Sequence, residues 1–326
     1  MQTTDVSVII PTYNRLSMLK EALDSVFAQD FEGAVEIIVV DDNSQDGTSE
    51  FVRQQYSQIH LISLKQNMGA YGARNRAILE SQGKYIAFLD SDDLWQPNYL
   101  KTQIAALTAK EKCFCVSTVV DWRTVEDQKW IVLPHPNLEK YRSPLHHLLA
   151  EGSFICTPSA VVFPRQLFDE IGLFDASYRV SGDNDLYIRC LLNDYQLICN
   201  SIPAVIRRIH DQGQATNWNN LGIRKQCRLK QINKYHHQAA RCSQLPPMRF
   251  VRAQVHALYA SRYYLRQRNF LAWLDSSLRA VYNAPVYGFS CMQQDIDYYI
   301  HHYILQNFRS RVKRKIFSWF KFMRNA

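Results

Sequence analysis

VSVIIPTYNRLSMLKEALDSVFAQDFEGAVEIIVVDDNS, residues 6–44, is the stretch on which the fold turns. Its two apolar runs, VSVII at 6–10 and EIIVV at 36–40, are β-branched and lack the alternation of a half-exposed strand. Between them Leu16, Leu19, Leu23, Val26 and Phe27 recur at helical spacing, predicting a helix over 16–28. A strand apolar on both sides needs cover on both faces, so strand–helix–strand of this kind reads as a parallel sheet between helices. The unit repeats. Asp46 and Thr48 cap a helix toward Tyr56, HLISL at 60–64 is a third strand, 69–79 a third helix, and KYIAFL at 84–89 a fourth strand. In such sheets ligands bind beyond the carboxyl ends of the strands.

Residues 112–213 are mixed. CFCVSTVVDW (113–122) and KWIVL (129–133) predict a β pair, 145–149 a helix, PSAVVF (158–163) a strand, Asp183–Leu192 a helix and QLICN (196–200) a strand. Glycine then becomes rare and amphipathic helical patterns take over, at 222–241, 248–267 and 269–282. We therefore expect an α/β domain over 1–215, with halves of about 1–95 and 96–215, and a helical region over 216–326. A hydrophobic content of 47% and a charged content of 21% exclude a disordered chain. No apolar run has the length of a membrane span, and the N-terminus lacks a signal-peptide pattern, so a cytoplasmic location is expected. The cysteines include no C-x-x-C pair, and Cys113 and Cys115 read as buried reduced thiols. The paired histidines have no metal-ligand partners at suitable spacing.

Chemistry concentrates at the strand ends. After the fourth strand come Asp90, Ser91, Asp92 and Asp93. Three carboxylates this close repel one another, and a divalent cation such as Mg²⁺ or Mn²⁺ relieves the repulsion. The simpler alternative is an acidic cap for a helix beginning near Pro97. Strand one ends in Pro11-Thr12-Tyr13-Asn14-Arg15 and strand two in Asp41-Asp42. There Tyr13 offers a stacking face and a carboxylate an acceptor for the N–H of a uracil-like base. The glycines of Asn67-Met68-Gly69-Ala70-Tyr71-Gly72-Ala73-Arg74 permit close backbone approach, and the helix beginning there offers amide donors to an anion. Read singly, Tyr13 is a packing residue and Asp41-Asp42 a turn.

In order, PTYNR at 11–15, VVDDNSQDGT at 39–48, NMGAYGARN at 67–75 and FLDSDD at 88–93 resemble the family-2 glycosyltransferases. These are inverting enzymes of the GT-A fold that use nucleotide-diphospho-sugars, and the resemblance extends over about residues 5–213. It implies that Pro11, Thr12, Tyr13 and Asp42 contact the nucleoside, supported by Asp41 or Arg74. Asn14, Arg15, Asn67, Gly69 and Ser91 complete the donor set, and Asp90 and Asp92 face ribose and metal. Asp93 competes for the ion, the order of preference being Asp92, Asp90, Asp93. Downstream, the resemblance assigns the general base to Asp183, within SGDNDLYIR (181–189), and the diphosphate or the metal to His210. Many relatives have two adjacent acidic residues where this chain has Gly182-Asp183. Asp185 is the fallback base, although with Arg189 it also reads as an i,i+4 helix pair.

The resemblance thus implies a metal-dependent transferase with Mn²⁺ or Mg²⁺ and a UDP-sugar donor. Its acceptor would be a carbohydrate, lipid-linked or protein hydroxyl in surface polysaccharide or glycoconjugate synthesis. A nucleotidyltransferase and a silent nucleotide-sugar-binding scaffold are the competing readings. Most of the net charge of +8 sits after Asp297, on Arg309, Arg311, Lys313, Arg314, Lys315, Lys321 and Arg324. With Phe308, Val312, Ile316, Trp319, Phe320 and Met323 on one helical face, 307–324 reads as a peripheral contact for an anionic membrane. No nucleic-acid module is present.

Overall fold

Strand β1 (Val6–Thr12) is buried at every position, as a non-alternating run requires. From it the chain continues through α1 (Leu16–Phe27), β2 (Val35–Asp41), α2 (Thr48–Gln55), β3 (His60–Ser63), α3 (Gly69–Glu80) and β4 (Tyr85–Phe88). The computed structural model describes residues 4–210, 220–242, 245–265 and 269–299. Pairing is parallel between β1 and β2, β1 and β4, and β2 and β3, as the apolar runs predict. Helix α1 buries Leu19, Ala22, Leu23 and Val26, while Phe27 stays at the surface and stacks on Tyr56 at 5.6 Å. Asp46 accepts the Thr48 N–H at 3.2 Å at the entry to α2.

Past β4 the chain forms β5 (Asp93–Trp95), α4 (Tyr99–Thr108), β6 (Cys113–Arg123), β7 (Gln128–Val132), α5 (Pro144–Ala150), a 3₁₀ turn (Pro158–Ala160), β8 (Val161–Pro164), α6 (Gln166–Ile171), α7 (Gly182–Leu192) and β9 (Gln196–Ile209). The sheet order is β3-β2-β1-β4-β8-β6-β9-β5, with β7 paired to β6. This is the curled mixed sheet of a GT-A fold. Strand β9 is far longer than 196–200. It runs parallel to β6 and, through Val205–Arg207, antiparallel to β5. Register shifts around Thr118 and Pro203 mark a bulge, since proline has no N–H for the ladder.

Two local readings are corrected. Pro158–Ala160 is a turn, not strand, because Thr157 caps it by accepting the Ser159 N–H at 3.2 Å, and the strand begins only at Val161. The acidic cluster does not cap α4, whose N-cap is Asn98 with no side-chain bond. Asp93 instead opens β5, too short for periodicity to reveal. Cys113 and Cys115 are buried and free, as expected, and Cys115 Sγ donates to Gln103 Oε1 at 2.9 Å.

Two compact units divide the chain, Met1–Leu245 and Pro246–Ala326. The first unit includes α8 (Leu221–Cys242), which packs against α5 and α7. Arg228 Nη1 donates to Leu148 O at 2.6 Å and Asn184 Nδ2 to Gln231 Oε1 at 2.8 Å. The second unit contains α9 (Met248–Leu258), a π-helical turn (Tyr259–Leu265), α10 (Phe270–Asn283) and α11 (Pro285–Tyr299). The helix predicted over 248–267 therefore ends as regular α-helix at Leu258, and α11 had no counterpart in the sequence reading. Trp273 Nε1 donates to Asp295 Oδ2 at 3.0 Å and ties α10 to α11. The amphipathic segment 307–324 lies outside the described residues. No described helix is long and apolar enough to cross a membrane.

His147 yields a stability prediction. Its ring is buried, stacks on Tyr141 at 4.7 Å and accepts the Asn137 N–H on Nδ1 at 2.9 Å, which requires the neutral form. Burial pushes its pKa down from 6.5 to about 4. The unfolded chain therefore takes up the proton first as pH falls. Stability held above about pH 6.5 is lost toward pH 4, by about 2 kcal/mol. Urea melts of wild type and His147→Gln at about pH 7.5 and 4.5 should show a smaller acid loss in the variant. Equal losses count against the assignment.

Candidate active site

The three clustered carboxylates, close in sequence, diverge in space. Asp90, at the end of β4, pairs with Arg74 of α3. Asp93 is buried and accepts from Ser159 Oγ at 2.6 Å, Thr157 Oγ1 at 2.9 Å and the Arg208 N–H at 3.3 Å. Asp92 Oδ2 meets Arg15 Nη1 at 2.7 Å and His210 Nε2 at 3.1 Å. Their protonation preferences diverge accordingly. Burial drives the Asp93 carboxyl well above the usual range, reinforced by Asp92 and Asp90. Burial also raises Asp90, against the pull of Arg74. For Asp92 burial opposes ionisation, but His210 and Arg15 prevail and hold it low.

The mutual repulsion is thus relieved chiefly by protein groups. Among the described residues no three His, Cys, Asp or Glu side chains gather as a metal cage. Asp92 and His210 do converge, giving one carboxylate and one imidazole. That donor set fits Mn²⁺ or Mg²⁺ when phosphate oxygens and water fill the remaining positions. Asp90 and Asp93 are engaged elsewhere. The Asp92 loop is fixed by Arg208, whose Nε donates to Asp92 O and whose Nη1 meets Glu21 Oε2, both at 2.6 Å. Arg207 is held by Asp121, at 2.8 and 2.6 Å, and by Cys156 O at 2.6 Å.

At the ends of β1 and β2 two loops lock together. The Asn14 N–H donates to Ser44 Oγ at 2.9 Å, and the Gln45 N–H to Asn14 Oδ1 at 2.7 Å. Pro11 is buried and Tyr13 is 48% exposed, its ring open to a stacking partner. Thr12 Oγ1 is buried with no hydrogen-bond partner, an orphan that a ligand group can satisfy. Asp41 accepts from the Ser44 N–H at 2.9 Å and from the Ser49 hydroxyl. Asp42 has a structural task. Its two oxygens accept the N–H groups of Met68 at 2.6 Å and Gly69 at 2.9 Å, so it caps α3. Two amides of this turn, those of Met68 and Gly69, are thus engaged by the chain's own carboxylate. Asn67 Nδ2 supports the turn through Asp42 O at 3.2 Å, and Gly69 takes φ +73°, a glycine conformation. Ser91 is buried between the carboxylates.

Asp183 stands at the start of α7, half-exposed, accepting from the Tyr71 hydroxyl at 3.2 Å. Asp185 is fully buried and bonded to Arg189 Nε at 3.0 Å and Tyr235 Oη at 2.8 Å, a packing role. Thr157 and Ser159 hold Asp93. Sequence reasoning missed the roles of Tyr71, Arg208 and Gln231. Arg208 lies in the basic segment before His210, and the other two carried no signal.

Residues 7–172 match the family described as Glycosyl transferase family 2. An uncharacterized glycosyltransferase of Rickettsia typhi is 33% identical over 226 residues, covering 65% of this chain and 66% of that protein. The putative teichuronic acid biosynthesis glycosyltransferase TuaG of Bacillus subtilis is 41% identical over 113 residues, 33% of this chain and 44% of TuaG. The chain therefore spans less than two thirds of the length of these relatives. Among solved structures, S. aureus TarS 1-349 in complex with UDP aligns with a TM-score of 0.60 at 17% identity, over 94% of this chain and 93% of that one. The mannosyltransferase PcManGT from Pyrobaculum calidifontis, in complex with GDP-Man and Mn²⁺, gives a TM-score of 0.52 at 20% identity, over 90% and 80%. At such identities the likeness is one of fold. With the sequence match covering half of its length, the chain belongs to glycosyltransferase family 2.

Proposed function

We propose that this protein transfers a sugar from a nucleoside diphosphate sugar to an acceptor hydroxyl, with inversion at the anomeric carbon and dependence on a divalent cation. The observation that carries the reading is the division of labour among carboxylates. Asp92 is held ionised beside His210 and Arg15 where the strands end, and half-exposed Asp183 stands on a separate element. Asp92 and His210 would hold Mn²⁺ or Mg²⁺, and a bound cation supplies charge neutralisation on the leaving diphosphate. Arg15 adds a fixed positive charge beside it. Asp183 takes the proton as the acceptor oxygen bonds to the anomeric carbon, while the carbon–oxygen bond to the diphosphate breaks and its electron pair leaves with the nucleoside diphosphate. Tyr13 and Thr12 Oγ1 are the groups left to meet the nucleoside.

TarS has been solved in complex with UDP and with UDP-GlcNAc, which favours a UDP-sugar donor here, with GDP-mannose as the other candidate. TuaG's teichuronic acid role favours surface polysaccharide as the setting. The basic 307–324 segment is proposed, from its sequence alone, to touch an anionic membrane. Thermal melts test the donor reading. With Mn²⁺, UDP near 100 times its Kd should raise the melting temperature by about 5–10 °C, and Asp92→Asn should remove the Mn²⁺-dependent part. If neither UDP nor GDP shifts the melt with Mn²⁺ present, the reading fails.

A further inference from the structure

The turn carrying Asp183 is gripped from two sides. On one, the Tyr71 hydroxyl accepts the Gly182 N–H at 2.9 Å and donates to Asp183 Oδ1 at 3.2 Å. Its ring stacks on Phe174, with centroids 5.6 Å apart and planes at 24°. Phe174 is itself fixed by Asn75, which accepts its N–H at 2.9 Å and donates to its carbonyl at 2.8 Å. On the other side, Gln231 Nε2 donates to Ser181 O at 2.9 Å while its Oε1 receives Asn184 Nδ2 at 2.8 Å. Ser181 sits at φ +64°, unusual for a residue with a Cβ. Such a conformation persists where its surroundings over-determine it.

Gly182 completes the arrangement. A Cβ there would lie 2.8 Å from Tyr71 Cε2 and 2.9 Å from Cζ, so the ring occupies the space a side chain would need. The tyrosine therefore fits only against a glycine at 182.

We propose that Tyr71 is a positioning residue for the general base, its hydroxyl aiming one oxygen of Asp183 and leaving the other for the acceptor hydroxyl. This rests on the reading of Asp183 as base. Burial raises the Tyr71 phenol far above its ordinary range, so it stays protonated and remains a donor. The charged and titratable groups around the pair are Arg74, 5.8 Å from the Tyr71 centroid and paired with Asp90, and the Tyr187 phenol. A hydrogen bond donated to a carboxylate favours its ionised form.

Tyr71→Phe keeps the ring and its stack and removes only the hydroxyl. The assay is Mn²⁺-dependent hydrolysis of UDP-N-acetylglucosamine and GDP-mannose, with kcat and donor KM read separately. The variant should lower kcat by about 10- to 100-fold with donor KM within about 2-fold. A kcat within about 3-fold of wild type overturns the proposal, as does a donor KM that moves as far as kcat. If Tyr71→Phe does not fold, 3-fluorotyrosine at position 71, a stronger donor, should change kcat by more than about 3-fold with donor KM unmoved, and an unchanged kcat overturns the role. Asp183→Asn is run alongside. Full activity in that variant sinks the base assignment, whereas an inactive Asp183→Asn beside a normal Tyr71→Phe sinks the Tyr71 role alone.

Discussion

Replacing Asp183 with asparagine lowers sugar transfer by about 10³-fold, within the range a positioned base contributes, and leaves nucleoside diphosphate affinity within about 3-fold. The substitution is close to isosteric. The amide oxygen of asparagine can still accept from Tyr71, so the Ser181–Gly182 turn keeps both of its supports. What disappears is the ability to take a proton, and a 10³-fold loss corresponds to about 4 kcal/mol of barrier. The variant should therefore fail in kcat and not in donor binding, with an unaltered melting temperature. Steady-state kinetics with UDP calorimetry separate the two quantities. Activity within about 5-fold of wild type would falsify the assignment.

Arg74→Met produces the largest expected loss of stability. The Arg74 side chain is 4% exposed, its guanidinium lies 5.8 Å from the ring centroids of Tyr71, Phe88 and Phe174, and its charge partner is Asp90. Methionine fills much of the volume but leaves Asp90 without its cation in a site where burial already opposes ionisation. Breaking a fully buried pair costs about 3–5 kcal/mol. Because Asp90 is 26% exposed, water recovers part of that, and about 2–3 kcal/mol is expected, a fall of about 5–10 °C in melting temperature. Adding Asp90→Asn should restore a good part, since the orphaned charge is then gone. If Arg74→Met melts within about 2 °C of wild type, or Asp90→Asn makes matters worse, the pair is not the stabilising unit described here.

The parallel half of the sheet was legible because strands buried on both faces leave an unbroken apolar run, and helices such as α1 repeat their buried residues every three or four positions. The antiparallel half was less so. At three residues β5 is below any period, and Pro203 splits β9 into a readable start and an unreadable continuation. At the site, residue types were legible but partners were not. Asp90, Asp92 and Asp93 look alike in sequence, and their fates are decided by Arg74 from α3, His210 beyond β9, and Thr157 and Ser159 before β8. Asp42 shows the same limit. A carboxylate one residue past a strand gives no sign in sequence of the helix amides it caps.

The close fit of Tyr71 against Gly182 also constrains how this chain can change over generations. Any side chain gained at 182 meets the ring at once, and loss of the ring first removes the partner of the Gly182 N–H. A change at either position alone is therefore expected to disturb the turn that carries Asp183, so the two positions, 111 residues apart along the chain, form one steric unit.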